Sequence, residues 1–124
     1  MPTGVHRVLV VEDDKFIRES VMEILEAAGY FAIGAEDGKQ ALDYLNSSSD
    51  HPCAILLDLM MPRMDGWEFR DKQVNDAKLS RIPVVVVTAD GNAQQKALKM
   101  SAHAWVKKPI EIVDLLRAVE SICA

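Results

Sequence analysis

Cysteine is scarce in this chain, with only Cys53 and Cys123. The two lack metal-ligand spacing, and in a chain without export features they are expected to be reduced thiols rather than a disulfide. Histidine is equally sparse: His6, His51 and His103 are scattered and suggest no zinc site. Residues 1–7 have no apolar centre of the kind a secretion signal needs. No apolar run approaches the roughly 18 residues of a membrane span. A cytoplasmic location is therefore expected. Positive charge is also short, 14 Lys and Arg against 19 Asp and Glu for a net charge of -5. That balance argues against general affinity for nucleic acid or anionic membrane, since both require a basic face. Internal repeats, low-complexity tracts and linkers are missing too, so one domain over residues 1–124 is expected.

What the chain does contain is a regular alternation of β-prone runs and helical patterns. Val8-Leu9-Val10-Val11 reads as a buried strand that stops at Glu12-Asp13-Asp14. Ile17, Val21, Ile24, Leu25 and Ala28 then recur at helical spacing between Asp14, a candidate N-cap, and Gly29. Tyr30 to Ala35 predicts a second strand. Asp37 with Gln40 has the form of a capping box, and Ala41, Leu42 and Leu45 give the following helix its apolar face. Ala54 to Leu57 delivers Asp58 to the end of a third strand, ahead of Pro62 and the turn pair Asp65-Gly66. The helix expected from Gly66 to Val74 has a thin apolar stripe, because Arg70, Asp71, Lys72 and Gln73 interrupt it, and its partner face is expected to be partly solvated. Val84 to Val87 ends at Thr88 as a fourth strand, and a short helix follows over about Ala93 to Met100. Ala104 to Val106 leads to Lys107-Lys108-Pro109. The closing helix is expected to pack through Ile112, Leu115, Leu116, Val119 and Ile122. Five strands alternating with five helices at crossover spacing predict an α/β, doubly wound parallel sheet.

In such a sheet ligands bind outside the carboxyl ends of the strands. Those ends would gather Glu12, Asp13, Asp14, Asp58, Thr88 and Lys108. Taken singly, Asp58 is an ordinary turn aspartate, Thr88 a β-branched strand residue and Lys108 surface charge. Together they have a chemical logic. Two carboxylates about 4 Å apart repel by roughly 4 kcal/mol at an effective dielectric near 20, so the cluster calls for a cation. Hard oxygen ligands suit Mg²⁺ or Mn²⁺, and Lys108 with Thr88 adds a point charge and a hydroxyl donor. These are the parts that stabilise a transferring phosphoryl group.

Val8 to Asp14 (VLVVEDD), Leu57 to Gly66 (LDLMMPRMDG), Ile82 to Ala89 (IPVVVVTA) and Trp105 to Pro109 (WVKKP) stand in the order and spacing of a known family. The chain resembles, over essentially its whole length, the receiver (response-regulator) domains of two-component phosphorelay signalling. The resemblance implies a flavodoxin-like (βα)5 fold with strand order 2-1-3-4-5. It also implies a signalling domain, not an enzyme proper, that assists its own phosphorylation and dephosphorylation. By the same resemblance Asp58 is the phosphoacceptor, and Glu12 and Asp13 are the acidic pair for Mg²⁺, with Asp13 the more direct ligand. The Met60 backbone carbonyl would be a further ligand. Thr88 is the switch hydroxyl, Trp105 the switch aromatic and Lys108 the phosphate-pairing lysine, with Lys108-Pro109 a cis bond. Asp14 falls at a helix-capping position, and Lys107 is a solvated neighbour.

The implied partners are a histidine kinase or histidine phosphotransfer protein upstream, and a protein target on the face of the fourth helix, fifth strand and fifth helix. No direct nucleic-acid or membrane partner is implied, and since the chain stops just after the fifth helix, no attached effector is expected. Some positions depart from the family pattern: Ser101-Ala102 in place of Gly-Ala, Ile110 in place of Phe, and Arg70 and Gln73 at usually apolar sites. Trp105 replaces the commoner Tyr or Phe with a ring that rotates inward less easily. Met60 and Asp90 occupy positions that tune dephosphorylation. Three other readings compete. A pseudo-receiver interaction module is countered by the intact Asp13, Asp58, Thr88 and Lys108. An aspartyl-phosphate phosphatase usually has a second aspartate where Met60 stands. A nucleotide or flavin site would need a glycine-rich loop where Glu12-Asp13-Asp14 stand.

Overall fold

A computed structural model describes residues 6–89 and 91–123 of the chain. Strand β1 (Arg7–Val11) is followed by helix α1 (Lys15–Ala27), β2 (Phe31–Ala35), α2 (Gly38–Ser47) and β3 (Ala54–Asp58). Helix α3 (Gly66–Val74), β4 (Val84–Thr88), α4 (Ala93–Lys99), β5 (Ala104–Lys107) and α5 (Ile112–Cys123) complete the order. All strand pairs are parallel, in one five-stranded sheet ordered β2-β1-β3-β4-β5, as expected. Element boundaries follow the sequence closely, although β2 starts at Phe31 rather than Tyr30 and α2 runs on through Ser47.

The continuous apolar runs are explained by burial on both sides. In β1, Leu9 and Val11 belong to a core with Ala41, Leu45, Phe69 and Met100 under α2, α3 and α4. Val8 and Val10 face the opposite core, with Val21, Leu25, Leu115 and Val119 of α1 and α5. Alternation along a strand thus feeds two layers of helices, so no strand position in the centre of the sheet can be polar until the chain reaches its carboxyl edge.

Helix starts are fixed by aspartates. The Asp14, Asp37 and Asp65 side chains accept hydrogen bonds from the backbone N–H of Ile17, Gln40 and Glu68. Each such cap contributes about 1 kcal/mol. The box expected at Asp37 is only half formed: Gln40 Oε1 accepts from the N–H of Glu36 instead. At the other end of α1, Gly29 turns the chain with a φ of 99°.

Three expectations need correction. Ala28 and Ile112, assigned to apolar faces, are exposed, because Ala28 caps the end of α1 and Ile112 opens α5, both bordering a surface groove with Ile24 and Leu116. The partly solvated face expected of α3 is absent, since Arg70 and Gln73 are buried. Arg70 donates from Nε to Met100 O (2.9 Å), from Nη2 to Ser101 O (2.9 Å) and from Nη1 to Gln73 Oε1 (2.7 Å). Gln73 Nε2 in turn donates to Leu79 O and Ile82 O. Lastly, Cys53 and Cys123 are not free thiols but a disulfide. Cys53 leads into β3 and Cys123 ends α5, which packs across β3, so the fold brings their Cα atoms within 5.4 Å across 70 residues of sequence.

Candidate functional site

Strand register assembles the site. Val11 pairs with Leu57, Asp58 with Val87 and Thr88 with Lys107, which places Glu12, Asp58, Thr88 and Lys108 along one carboxyl edge of the sheet. Glu12, Asp58 and Thr88 are buried, Asp13 is exposed at the rim and Lys108 is half-buried. The peptide bond between Lys108 and Pro109 is cis, as expected, and Lys108 N donates to Thr88 O at 2.9 Å.

The carboxylates share one lysine. Lys108 Nζ lies 2.7 Å from Glu12 Oε1 and 3.6 Å from Asp58 Oδ1. Burial disfavours the charge on Asp58 and Glu12 repels it, while Lys108 and the backbone N–H of Met60 offset only part of this, so the Asp58 carboxyl is pushed up to about 7. The Lys108 ammonium is shifted upward as well. Burial alone would lower its affinity for the proton, but the hydrogen bond to Glu12 and the charges of Asp58 and Glu12 raise it. The pocket therefore holds more negative charge than one lysine neutralises.

One oxygen from each of Glu12, Asp13 and Asp58 can be chosen so that all lie within 4.8 Å of one another. Three hard oxygen donors at that spacing suit a small divalent cation such as Mg²⁺ or Mn²⁺, and the excess negative charge is what such an ion would relieve. The donor set thus fits the metal that the resemblance implies. Two backbone contacts hold Glu12 in position, since Asp14 N donates to its Oε2 and Arg18 Nη1 to its backbone carbonyl, at 3.1 and 2.8 Å.

The remaining candidates lie around this centre. The Met60 side chain is exposed, while its N–H points to Asp58 Oδ1 at 3.4 Å. Trp105 stands on β5 opposite Val86, two register steps from Thr88 and 43% exposed, beside an open groove of about 510 Å³ against α5. Asp14 is an N-cap and Lys107 is exposed, as expected. Asp90 lies outside the described residues. Sequence reasoning missed two arginines, Arg18 and Arg63. Arg63 reaches from the β3–α3 loop to Asp37 at the start of α2, with Nε 2.6 Å from Asp37 Oδ2 and Nη2 on the same oxygen. Burial alone would push the Asp37 carboxyl up, but the Gln40 N–H and the Arg63 guanidinium hold it below the usual range.

The sequence matches the response regulator receiver domain family over residues 8–120. The chain belongs to that family. Its relatives include the response regulator MprA of Mycolicibacterium vanbaalenii, 36% identical over 118 residues, covering 94% of this chain and 49% of that protein. MprA of Mycobacterium tuberculosis is also 36% identical, with 94% of this chain and 50% of that protein covered. The chain thus spans about half the length of these curated relatives. Among solved structures, the bacteriophytochrome response regulator RtBRR is 31% identical with a TM-score of 0.85, over 98% of this chain and 80% of that one. The Vibrio cholerae chemotaxis protein CheY4 is 27% identical with a TM-score of 0.85, over 96% and 99%. Both share the five-stranded parallel architecture found here.

Proposed function

We propose that this receiver domain takes a phosphoryl group from the phosphohistidine of a histidine kinase or histidine phosphotransfer protein onto Asp58, and signals the change to a protein target. The observation that carries the proposal is the Asp58 carboxyl, buried at the strand edge among two further carboxylates and one lysine, with its charge incompletely offset.

The Asp58 carboxylate attacks phosphorus in line, forming an O–P bond as the P–N bond to the donor imidazole breaks and its electron pair returns to the ring nitrogen. Glu12, Asp13, Asp58 and the Met60 carbonyl would hold Mg²⁺, which when bound would neutralise charge on the phosphoryl oxygens. Lys108, already between Glu12 and Asp58, turns to a phosphoryl oxygen, and Thr88 donates its hydroxyl to another. Trp105 follows Thr88 and shifts a pre-existing equilibrium of the face made by α4, β5 and α5. Trp105 and Leu98, 43% and 72% exposed, give that face an apolar footing for a protein partner. The domain acts as a switch rather than an enzyme with its own substrate, in the cytoplasm where a kinase delivers its phosphoryl group, a reducing compartment in which the Cys53–Cys123 bond would be open to reduction.

A direct check uses Mg²⁺ with beryllium trifluoride, a phosphoryl mimic. Bound at 100 times its dissociation constant, it should raise the stability of the fold by roughly 2.7 kcal/mol. A melting curve unchanged by saturating mimic would favour an interaction module that is never phosphorylated.

A further inference from the structure

A carbonyl can serve as a metal ligand only if the backbone that carries it is held still. The loop between Asp58 and Gly66 contains such a candidate at Met60, and it is closed partly by its own backbone and partly from outside. At one end Gly66 N donates to Leu59 O at 3.1 Å, and a Cβ on Gly66 would lie 2.6 Å from the Asp58 carbonyl oxygen, so only glycine allows α3 to start there. At the other end Gly38 N donates to Met64 O at 3.0 Å, and a Cβ on Gly38 would lie 2.8 Å from Met64 Cγ. Between these ties Arg63 takes a φ of 62°, a left-handed conformation unusual for a residue with a side chain. That conformation sends its guanidinium to Asp37, whose carboxylate is fully buried. The buried carboxylate is held from inside by the backbone N–H of Gln40 and from outside by the Arg63 guanidinium, a charge-assisted contact whose cation is 62% exposed and which ties the loop to the start of α2.

We propose that Arg63, acting through Asp37, is a positioning residue that fixes the β3–α3 loop so that the Met60 carbonyl is preorganised for the metal beside Asp58. The inference rests on the receiver reading and adds to it a determinant of metal affinity in the pairing of Arg63 with a residue 26 positions away at the start of α2. Arg63 touches neither metal nor phosphate; it acts on the loop.

The sign of the effect separates this role from simple electrostatics. Removing a nearby cation should, by charge alone, tighten the binding of a dication. Loss of the clamp should weaken it. The test is calorimetric titration of the full chain with Mg²⁺ alone, for wild type, Arg63→Asn, Arg63→Lys and Asp37→Asn. Asparagine tolerates the left-handed backbone at position 63, so the turn survives without the cation. It is also a good N-cap at position 37, so α2 keeps its start. Both asparagine variants should raise the dissociation constant roughly tenfold, in line with other residues that orient a ligand from outside the metal shell. Arg63→Lys should recover most of the affinity. At saturating Mg²⁺, labelling of Asp58 by acetyl phosphate should proceed at the wild-type rate in all four proteins. Arg63→Asn binding Mg²⁺ as well as wild type, or more tightly, would overturn the clamp while leaving the receiver reading intact. Wild type that binds no Mg²⁺ would overturn both.

Discussion

Asp58 is a carboxyl group on which folding and function make opposite demands. Its burial and the neighbouring Glu12 push it up to about 7 from an ordinary 3.8. The folded chain therefore holds this proton more tightly than the unfolded chain does. The stability that follows is complete below about pH 4, and it is lost as pH rises through about 7, where the ionised form must be accommodated. With a tenfold change in proton affinity equal to about 1.4 kcal/mol, the cost at pH 8 is on the order of 2–4 kcal/mol. In metal-free buffer Asp58→Asn should accordingly be more stable than wild type at pH 8, and the advantage should shrink toward pH 5. Urea unfolding across that range checks it, and a difference independent of pH would contradict the assigned cause. Such a gain on removing a functional group is the expected signature of a site kept at the expense of stability. The acidic cluster was legible in the sequence because two motifs carry it and two more bring Thr88 and Lys108 to it. The size of the conflict was not, since it depends on which carboxylate the single lysine pairs with most closely.

Helix α3 shows where pattern reading fails. Its boundaries, Gly66 and Val74, could be read from the Asp65-Gly66 turn pair and the residue pattern, but its packing could not. Periodicity treats every polar residue as facing water, and so Arg70 and Gln73 suggested a solvated face. Their acceptors are main-chain carbonyls: Met100 O and Ser101 O for Arg70, Leu79 O and Ile82 O for Gln73. Nothing in a local window shows where those carbonyls will lie. Burial disfavours the charge of Arg70 and lowers its proton affinity, yet three hydrogen bonds hold it in place. Ser101 has a φ of 56° where the family usually has glycine, and the Arg70 bond to its carbonyl secures that turn into β5. Arg70→Met keeps much of the side-chain volume but strands these acceptors, so it should cost about 2–4 kcal/mol in denaturant unfolding. A loss within experimental scatter would show that water satisfies the carbonyls equally well.

At the scale of the whole molecule, the parallel sheet and its two cores follow from apolar runs alternating with helices of crossover length, whereas the strand order was legible only through the resemblance to receiver domains. The disulfide does not follow from either. Two cysteines 70 residues apart say nothing about proximity, and the expectation of free thiols came from redox environment rather than geometry. The fold brings them together at the opposite end of β3 from Asp58, where they tie α5 to the central strand. A loop of that length closed by one bond lowers the entropy of the unfolded chain enough to stabilise the fold by about 4 kcal/mol. Unfolding in the presence of a thiol reductant should show a loss of that order, and Cys53→Ser should show the same loss without reductant. Equal stability of the oxidised and reduced protein would mean that the bond strains the fold as much as it restrains the unfolded chain. The clamp at Arg63 belongs with this group, because Asp37 was legible only as a helix cap and its second partner lies across the fold.

The central claim, that Asp58 accepts a phosphoryl group, is tested most directly by intact mass after incubation with Mg²⁺ and acetyl phosphate. Wild type should gain one phosphoryl group, Asp58→Asn should gain none, and chelation of the metal should abolish the gain. An unlabelled wild type, or equal labelling of Asp58→Asn, would contradict the account.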